Sequence, residues 1–190
     1  MKHILTKSAI VAALSILAFG THTGLGKSAD EATPLLIGSA VPEAELADQK
    51  GNDVQLTDVL RGKSSVVIFY RGSWCPYCNT QLSELASIED DLKKLGNQIV
   101  AISPDKPESL NVTDAKHDLG YQLYSDSRHE AMEAFGIDFD SRRGKLPVPS
   151  VFLVTPDLEI SFQYVNPNYR FRPSAELLMA AAKAAITDGH

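Results

Sequence analysis

The chain has 190 residues, 44% of them hydrophobic, and a formal charge of −6. That length suits one domain with a substantial core. The acidic balance, with no basic run, excludes the electrostatic footprint of a nucleic-acid or anionic-lipid binder.

The N-terminus reads as an export signal. Lys2, His3 and Lys7 form a positive segment, and Ala9 to Phe19 an apolar one broken only by Ser15. Small residues follow at Gly20, Thr21, Thr23, Gly24 and Gly26. An apolar stretch of about 11 residues falls well short of the roughly 20 that a spanning helix needs. The pattern predicts a signal peptide over residues 1–26, cut between 20 and 29. It also predicts no stable membrane span after cleavage, and an exported, periplasmic or secreted protein.

A single domain is expected over residues 36–190. Ala44–Ala47 and Val54–Leu56 flank the turn-rich Asp48-Gln49-Lys50-Gly51-Asn52 and predict a hairpin. Thr57 is placed to cap a short helix over Asp58–Leu60. Val66–Tyr70 is a continuous β-branched and aromatic run, as expected of a strand buried on both faces. Leu82, Leu85, Ile88, Leu92 and Leu95 then recur at helical spacing, and Gly96 is a suitable terminator.

Further on, a strand is predicted over Gln98–Ser103, a helix over Glu108–Leu119, a strand over Tyr121–Tyr124 and a helix over Arg128–Phe135. Residues 137–149 are expected to be a loop carrying the solvated cluster Arg142, Arg143 and Lys145. Ser150–Thr155 and Glu159–Val165 read as paired strands, and Ala175–Ile186 as a helix capped by Ser174. The order predicts an α/β domain: a mixed central sheet flanked by helices, preceded by an N-terminal β-hairpin.

Both cysteines, Cys75 and Cys78, and the only tryptophan, Trp74, lie between the first buried strand and the long helix. Thiols at i and i+3 on a first helical turn are neighbours. Free N–H groups and the positive dipole end there stabilise a thiolate. Pro76 fixes one φ between the two cysteines and lacks an N–H that would be unpaired anyway. Trp74 is placed to shield the site and Arg71 to add positive potential. The closed loop is too short for a stabilising disulfide. His22, His117, His129 and His190 show no ligand spacing near the pair, so no metal and no cofactor are expected. A reversible redox pair remains. Arg170 and Arg172, near the C-terminus, read either as surface charges or as groups that reach the active-site face.

Trp74-Cys75-Pro76-Tyr77-Cys78 resembles the active site of the thioredoxin fold. The longer stretch from Phe69 through Cys78, with Ala101-Ile102-Ser103-Pro104-Asp105 after the next strand, resembles the peroxiredoxin-like branch of the alkyl hydroperoxide reductase and thiol-specific antioxidant (AhpC/TSA) family. The resemblance implies a thioredoxin-like fold with an N-terminal hairpin extension. It places Cys78 where peroxiredoxins keep the peroxidatic cysteine, and Cys75 where they usually keep a threonine. The thioredoxin pattern instead makes Cys75 the attacking thiol and Cys78 the resolving one. Val148-Pro149-Ser150 resembles the cis-proline segment of that fold, and stands where peroxiredoxins often keep a thiolate-stabilising arginine; Pro149 reads either as a simple strand-entry proline or as a cis bond next to the thiols that exposes backbone for substrate pairing.

Three functions follow as expectations. The first is a thiol-dependent antioxidant that reduces peroxides through the CxxC pair. The second is an extracytoplasmic thiol–disulfide reductase, and the third a non-enzymatic redox-sensing binding module. The expected partners are a peroxide or disulfide substrate and an external thiol reductant, either a thioredoxin-like protein or a small thiol.

Overall fold

The computed structural model describes residues 26–187; the predicted signal segment falls almost wholly outside them. Nine strands and five α-helices follow in chain order: β1 (Glu45–Ala47), β2 (Asp53–Gln55), α1 (Leu56–Leu60), β3 (Ser64–Phe69), α2 (Pro76–Lys94), β4 (Asn97–Ser103), α3 (Pro107–His117), β5 (Gln122–Ser125), α4 (Glu130–Ala134), β6 (Asp138–Ser141), β7 (Gly144–Pro147), β8 (Ser150–Val154), β9 (Ile160–Val165) and α5 (Ala175–Thr187).

Seven strands form one sheet in the order β2-β1-β5-β4-β3-β8-β9. β3 runs parallel to β4 and β4 parallel to β5, because α2 and α3 carry the chain back between them. β8 and β9 add antiparallel on the other side of β3, and β1 and β2 cover the far edge. The sheet is therefore mixed and flanked by helices, as the element order predicts.

β3 is central. From Ser65 onward every residue of this strand is buried, as its unbroken β-branched and aromatic run requires. Alternate side chains serve two cores. Val67 and Phe69 join Val100, Ile102, Phe135 and Phe152 on the side of α1 and α4. Val66, Ile68 and Tyr70 join Leu82, Leu85, Leu110 and Leu178 on the side of α2, α3 and α5, and both cysteines belong to this second core.

Two local expectations change. Helix α1 starts earlier than predicted, at Leu56, with Gln55 in the capping position; Thr57 lies inside it and is buried. Residues 137–149 are not a plain loop. β6 and β7 pair antiparallel, with Phe139 opposite Leu146 and Asp138 opposite Pro147, and Gly144 turns the chain at φ 95°. Weak strand propensity concealed this hairpin. Pro147 is tolerated at the end of the short two-stranded ladder.

The segment before residue 36 docks on this hairpin and on the end of α4. Lys27 N–H donates to Asp140 and Lys27 Nζ pairs with Asp138. Thr33 N–H donates to the Gly136 carbonyl at 2.9 Å. Gly136 has φ 68°, and a Cβ there would sit 2.1 Å from the Thr33 carbonyl oxygen. Gly136→Ala is therefore expected to destabilise the domain by about 2 kcal/mol, a combination of left-handed strain and lost docking. Differential scanning calorimetry would show this as a fall of roughly 4–8 °C in Tm.

Candidate functional site

The site forms where β3 ends and α2 begins. Tyr70 N–H still donates to the Ile102 carbonyl, holding the chain to β4 until the last residue before the loop. Gly72 then takes φ 133°, a conformation that disfavours a side chain, and a Cβ there would lie 2.7 Å from Trp74 Nε1 and 2.8 Å from Asp105 Oδ1. Asp105, beyond the end of β4, accepts the Ser73 N–H at 2.6 Å. Burial pushes the Asp105 carboxyl above its ordinary range. Asn79 Nδ2 donates to the Ser73 carbonyl at 2.9 Å and closes the loop from the helix side.

Cys75 occupies the N-cap position of α2, and Pro76 its first turn, as the sequence predicts. The Cys75 carbonyl accepts from the N–H groups of Cys78 (3.1 Å) and Asn79 (3.0 Å). The cysteines are unbridged thiols, 1% and 0% exposed. Their sulfurs share a hydrogen bond, so the pair ionises as a unit. Cys75 is lowered to about 6: first by the hydrogen bond from Cys78, then, against the cost of burial, by the Cys78 backbone N–H and the charges of Arg172 and Arg71. Cys78 is pushed up, first by that same bond to Cys75 and then by burial and the Cys75 charge. Within the pair, ionisation of Cys75 is thus favoured over that of Cys78.

Arg172 comes from the segment between β9 and α5. Its Nη2 lies 3.3 Å from Cys78 Sγ, while Nη1 is bonded to the carbonyls of Tyr169 and Phe171. The reading of Arg172 as a group that reaches the active-site face is the one the geometry realises. Arg71 lies over the rings of Trp74 (5.0 Å to the centroid) and Tyr169 (4.3 Å). Arg143, from the β6–β7 turn, also lies over Trp74, at 4.4 Å, so it is not simply a solvated loop charge. Tyr77 meets Tyr169 edge to face at 5.8 Å. Three segments far apart in sequence thus converge on the dithiol.

Of the two readings of Pro149, the strand-entry one is realised and the cis one is not. No cis peptide bond occurs among the described residues, so the Val148–Pro149 bond is trans. The Pro149 carbonyl already accepts the Asn166 N–H at 3.2 Å and is not free to pair with a substrate. Pro149 is instead a buried residue leading into β8, where Ser150 is the partner of Phe69 in the sheet.

Sequence reasoning did not identify Arg143, Tyr169 or Asn79 as part of the site. The alternation of arginine and aromatic residues in Tyr169-Arg170-Phe171-Arg172, unusual in an acidic chain, was the available signal. Among the described residues no group of three or more His, Cys, Asp or Glu side chains is placed to hold a metal ion, and no helix is long and apolar enough to cross a membrane.

The thiolate gives the site a pH signature. In the reduced protein, thiolate ultraviolet absorbance is expected to rise with a midpoint near pH 6 and to level off at one thiolate per chain through neutral pH. Alkylation by iodoacetamide should follow the same curve and be lost as pH falls through that midpoint. Arg172→Met removes a stabilising charge, so the midpoint should move up toward the ordinary thiol range. An unmoved midpoint would show that the guanidinium contributes nothing.

The fold and the sequence are similar to those of known proteins. Peroxiredoxin Bcp of Escherichia coli K12 is 39% identical over 104 residues, covering 55% of this chain and 66% of that relative. The chloroplastic peroxiredoxin Q of Gentiana triflora is 30% identical over 140 residues, covering 74% and 62%. The matched stretch thus spans less than two thirds of either relative's length. Among solved structures, reduced Prx3 of Vibrio vulnificus in complex with H2O2 superposes with a TM-score of 0.73 at 18% identity, over 78% of this chain and 99% of that one. Peroxidoxin BcpB of Mycobacterium tuberculosis superposes with a TM-score of 0.68 at 20% identity, over 78% and 96%. These likenesses show a peroxiredoxin-type, thioredoxin-like fold. The AhpC/TSA family model matches residues 37–163, from before the N-terminal hairpin into β9, and the chain belongs to that family.

Proposed function

We propose that this protein is an exported thiol peroxidase that reduces peroxides through Cys75 and Cys78. The observation that carries the reading is a buried dithiol at the N-terminus of α2 in an AhpC/TSA domain, with the Arg172 guanidinium on Cys78.

In the first step the proton of the resting pair passes from Cys78 to Cys75 along their hydrogen bond. The Cys78 thiolate attacks one peroxide oxygen, and the O–O bond breaks. The leaving oxygen takes the proton held by Cys75 and departs as water or an alcohol. Cys78 is now a sulfenic acid and Cys75 a thiolate. Cys75 then attacks the Cys78 sulfur, hydroxide leaves and is protonated by solvent, and the disulfide forms. Two equivalents of an external thiol return the pair to the dithiol. Bound peroxide in the Vibrio Prx3 structure supports the assignment by analogy of fold.

A second reading is favoured by one observation. Cys75 is the N-cap residue of α2 and the sulfur whose ionisation the hydrogen bond with Cys78 favours, and it is the residue that attacks first in a thiol–disulfide reductase. Stopped-flow mixing of reduced protein with stoichiometric hydrogen peroxide tests the main reading, with Trp74 fluorescence and thiol loss as readouts. The peroxidase reading requires oxidation much faster than that of free cysteine at the same pH. Oxidation at the free-cysteine rate, together with rapid reduction of a protein disulfide, would replace it with the second.

A further inference from the structure

Four arginines, Arg71, Arg143, Arg170 and Arg172, surround the dithiol. Arg71, Arg143 and Arg170 lie over Trp74 or Tyr169, and Arg172 contacts Cys78. Several basic side chains elsewhere are paired: Arg128 with Glu45, Asp53 and Glu130, Lys145 with Glu133 and Asp138, Lys27 with Asp138. Among the described residues none of the four site arginines is paired with a carboxylate. The Nε atoms of Arg71 and Arg172 are buried without a hydrogen-bond partner.

Stacking on an aromatic face satisfies the guanidinium plane and leaves its in-plane N–H groups for an anion. In a chain with 24 acids against 18 Lys and Arg, four unpaired arginines at one place make a local positive field opposite in sign to the net charge. A groove of about 480 Å³ lies at the Arg170 and Arg172 side of this cluster, lined also by Tyr77, Gln81 and Phe171. Glu84 also lines it and is not within ion-pairing distance of the arginines. Both sulfurs are nearly inaccessible, which favours a slender molecule over a folded partner laid across the site.

We propose that the arginine rim selects an anionic, low-molecular-weight thiol as the reductant of the Cys75–Cys78 disulfide. The proposal rests on the pair cycling through a disulfide, a step shared by both readings of the site. The carboxylate of the reductant is held by Arg143 and Arg170 while its thiolate attacks Cys75 Sγ. The Cys75–Cys78 bond breaks, a mixed disulfide forms on Cys75, and Cys78 leaves as a thiolate facing Arg172 Nη2. With Cys75 in the mixed disulfide, its hydrogen bond and charge no longer oppose that ionisation. A second thiolate attacks the reductant sulfur, releasing the reductant disulfide and the Cys75 thiolate. Two reductant thiols are oxidised and the protein gains two electrons.

The test uses full-length protein oxidised with diamide, so that no peroxide enters. Reduction is followed by Trp74 fluorescence with 3-mercaptopropionate (anionic), 2-mercaptoethanol (neutral) and cysteamine (cationic). Each rate is normalised to thiolate concentration and to reaction with a small reference disulfide. The anionic thiol should be roughly tenfold faster than the neutral one, and the cationic thiol slowest. The ratio should fall toward one in high salt and in the double variant Arg143→Ala/Arg170→Ala, and persist in Arg143→Lys/Arg170→Lys.

A ratio near one in the wild type overturns the proposal, as does a ratio insensitive to both salt and the alanine variant. Because peroxide is absent, these outcomes are separate from the peroxidase reading. A protein unreactive toward peroxide that keeps the charge ratio retains an anionic reductant and loses only its proposed oxidant.

Discussion

Cys78→Ser is expected to lose peroxide-dependent oxidation by on the order of a thousandfold or more, because a serine hydroxyl carries no thiolate and cannot reduce the O–O bond. The hydroxyl still donates a hydrogen bond to Cys75, so the fold and much of the Cys75 stabilisation should survive. Cys75→Ser should behave differently. Its first oxidation by hydrogen peroxide persists, but no disulfide forms and one equivalent of sulfenic acid accumulates on Cys78, where dimedone traps it. Mass spectrometry of the two trapped variants reads the order of attack. Dimedone on Cys78 in Cys75→Ser, with no adduct in Cys78→Ser, is the pattern of the peroxidase reading. The reverse pattern, an adduct only on Cys75, would make the resting thiolate the nucleophile and sink the proposed order. The question is sharp because the two sulfurs are inequivalent in opposite ways. The hydrogen bond between them favours ionisation of Cys75, whereas Cys78 has the Arg172 guanidinium at 3.3 Å.

Phe135→Ala is expected to produce the largest loss of stability. Phe135 is fully buried and packs on Phe69 (4.9 Å between ring centroids) and Phe152 (5.0 Å); Phe69 and Phe152 meet edge to face at 6.1 Å. The three rings join α4 to the two central strands β3 and β8. Truncating one removes its transfer energy and leaves a cavity that rigid sheet neighbours cannot fill, a cost of about 3–5 kcal/mol. Against a total of roughly 5–15 kcal/mol this consumes a large part of the margin. Chemical denaturation should show a lower midpoint at an unchanged m value. Phe135 lies on the face of the sheet opposite the cysteines. The folded fraction should therefore keep its thiol ionisation midpoint, whereas Arg172→Met should move that midpoint with little loss of stability. A Phe135→Ala protein with wild-type stability would show that the core relaxes around the gap.

Most of the framework was legible because its signals are local. The β-branched and aromatic run Val66–Tyr70 needs burial on both faces, and the three- and four-residue spacing of Leu82, Leu85, Ile88 and Leu92 needs a helix lying on a core. Positive φ at Gly96 and Gly136 marks the ends of α2 and α4 at the residues expected. The β6–β7 hairpin was not legible. Its pairing rests on Phe139 and Leu146 and on docking by residues 27–33, contacts that propensity does not report.

The pair Cys75 and Cys78 on the first turn of a helix after a buried strand follows from spacing and pattern alone, because i and i+3 neighbours are a property of the helix itself. That was enough to mark the pair as the candidate site. The surroundings of the pair depend on segments about 70 to 95 residues away in the chain. Arg143 reaches Trp74 through a hairpin turn, and Arg172 reaches Cys78 from beyond β9. Pro149 shows the same limit from the other side. Its sequence context suggested a cis bond and an open carbonyl; the folded chain has a trans bond and gives that carbonyl to Asn166. Short-range spacing brings the two sulfurs together. Charge, burial and access around them are sums over the whole folded chain, so only the tertiary structure decides which sulfur holds the proton and which arginines face it.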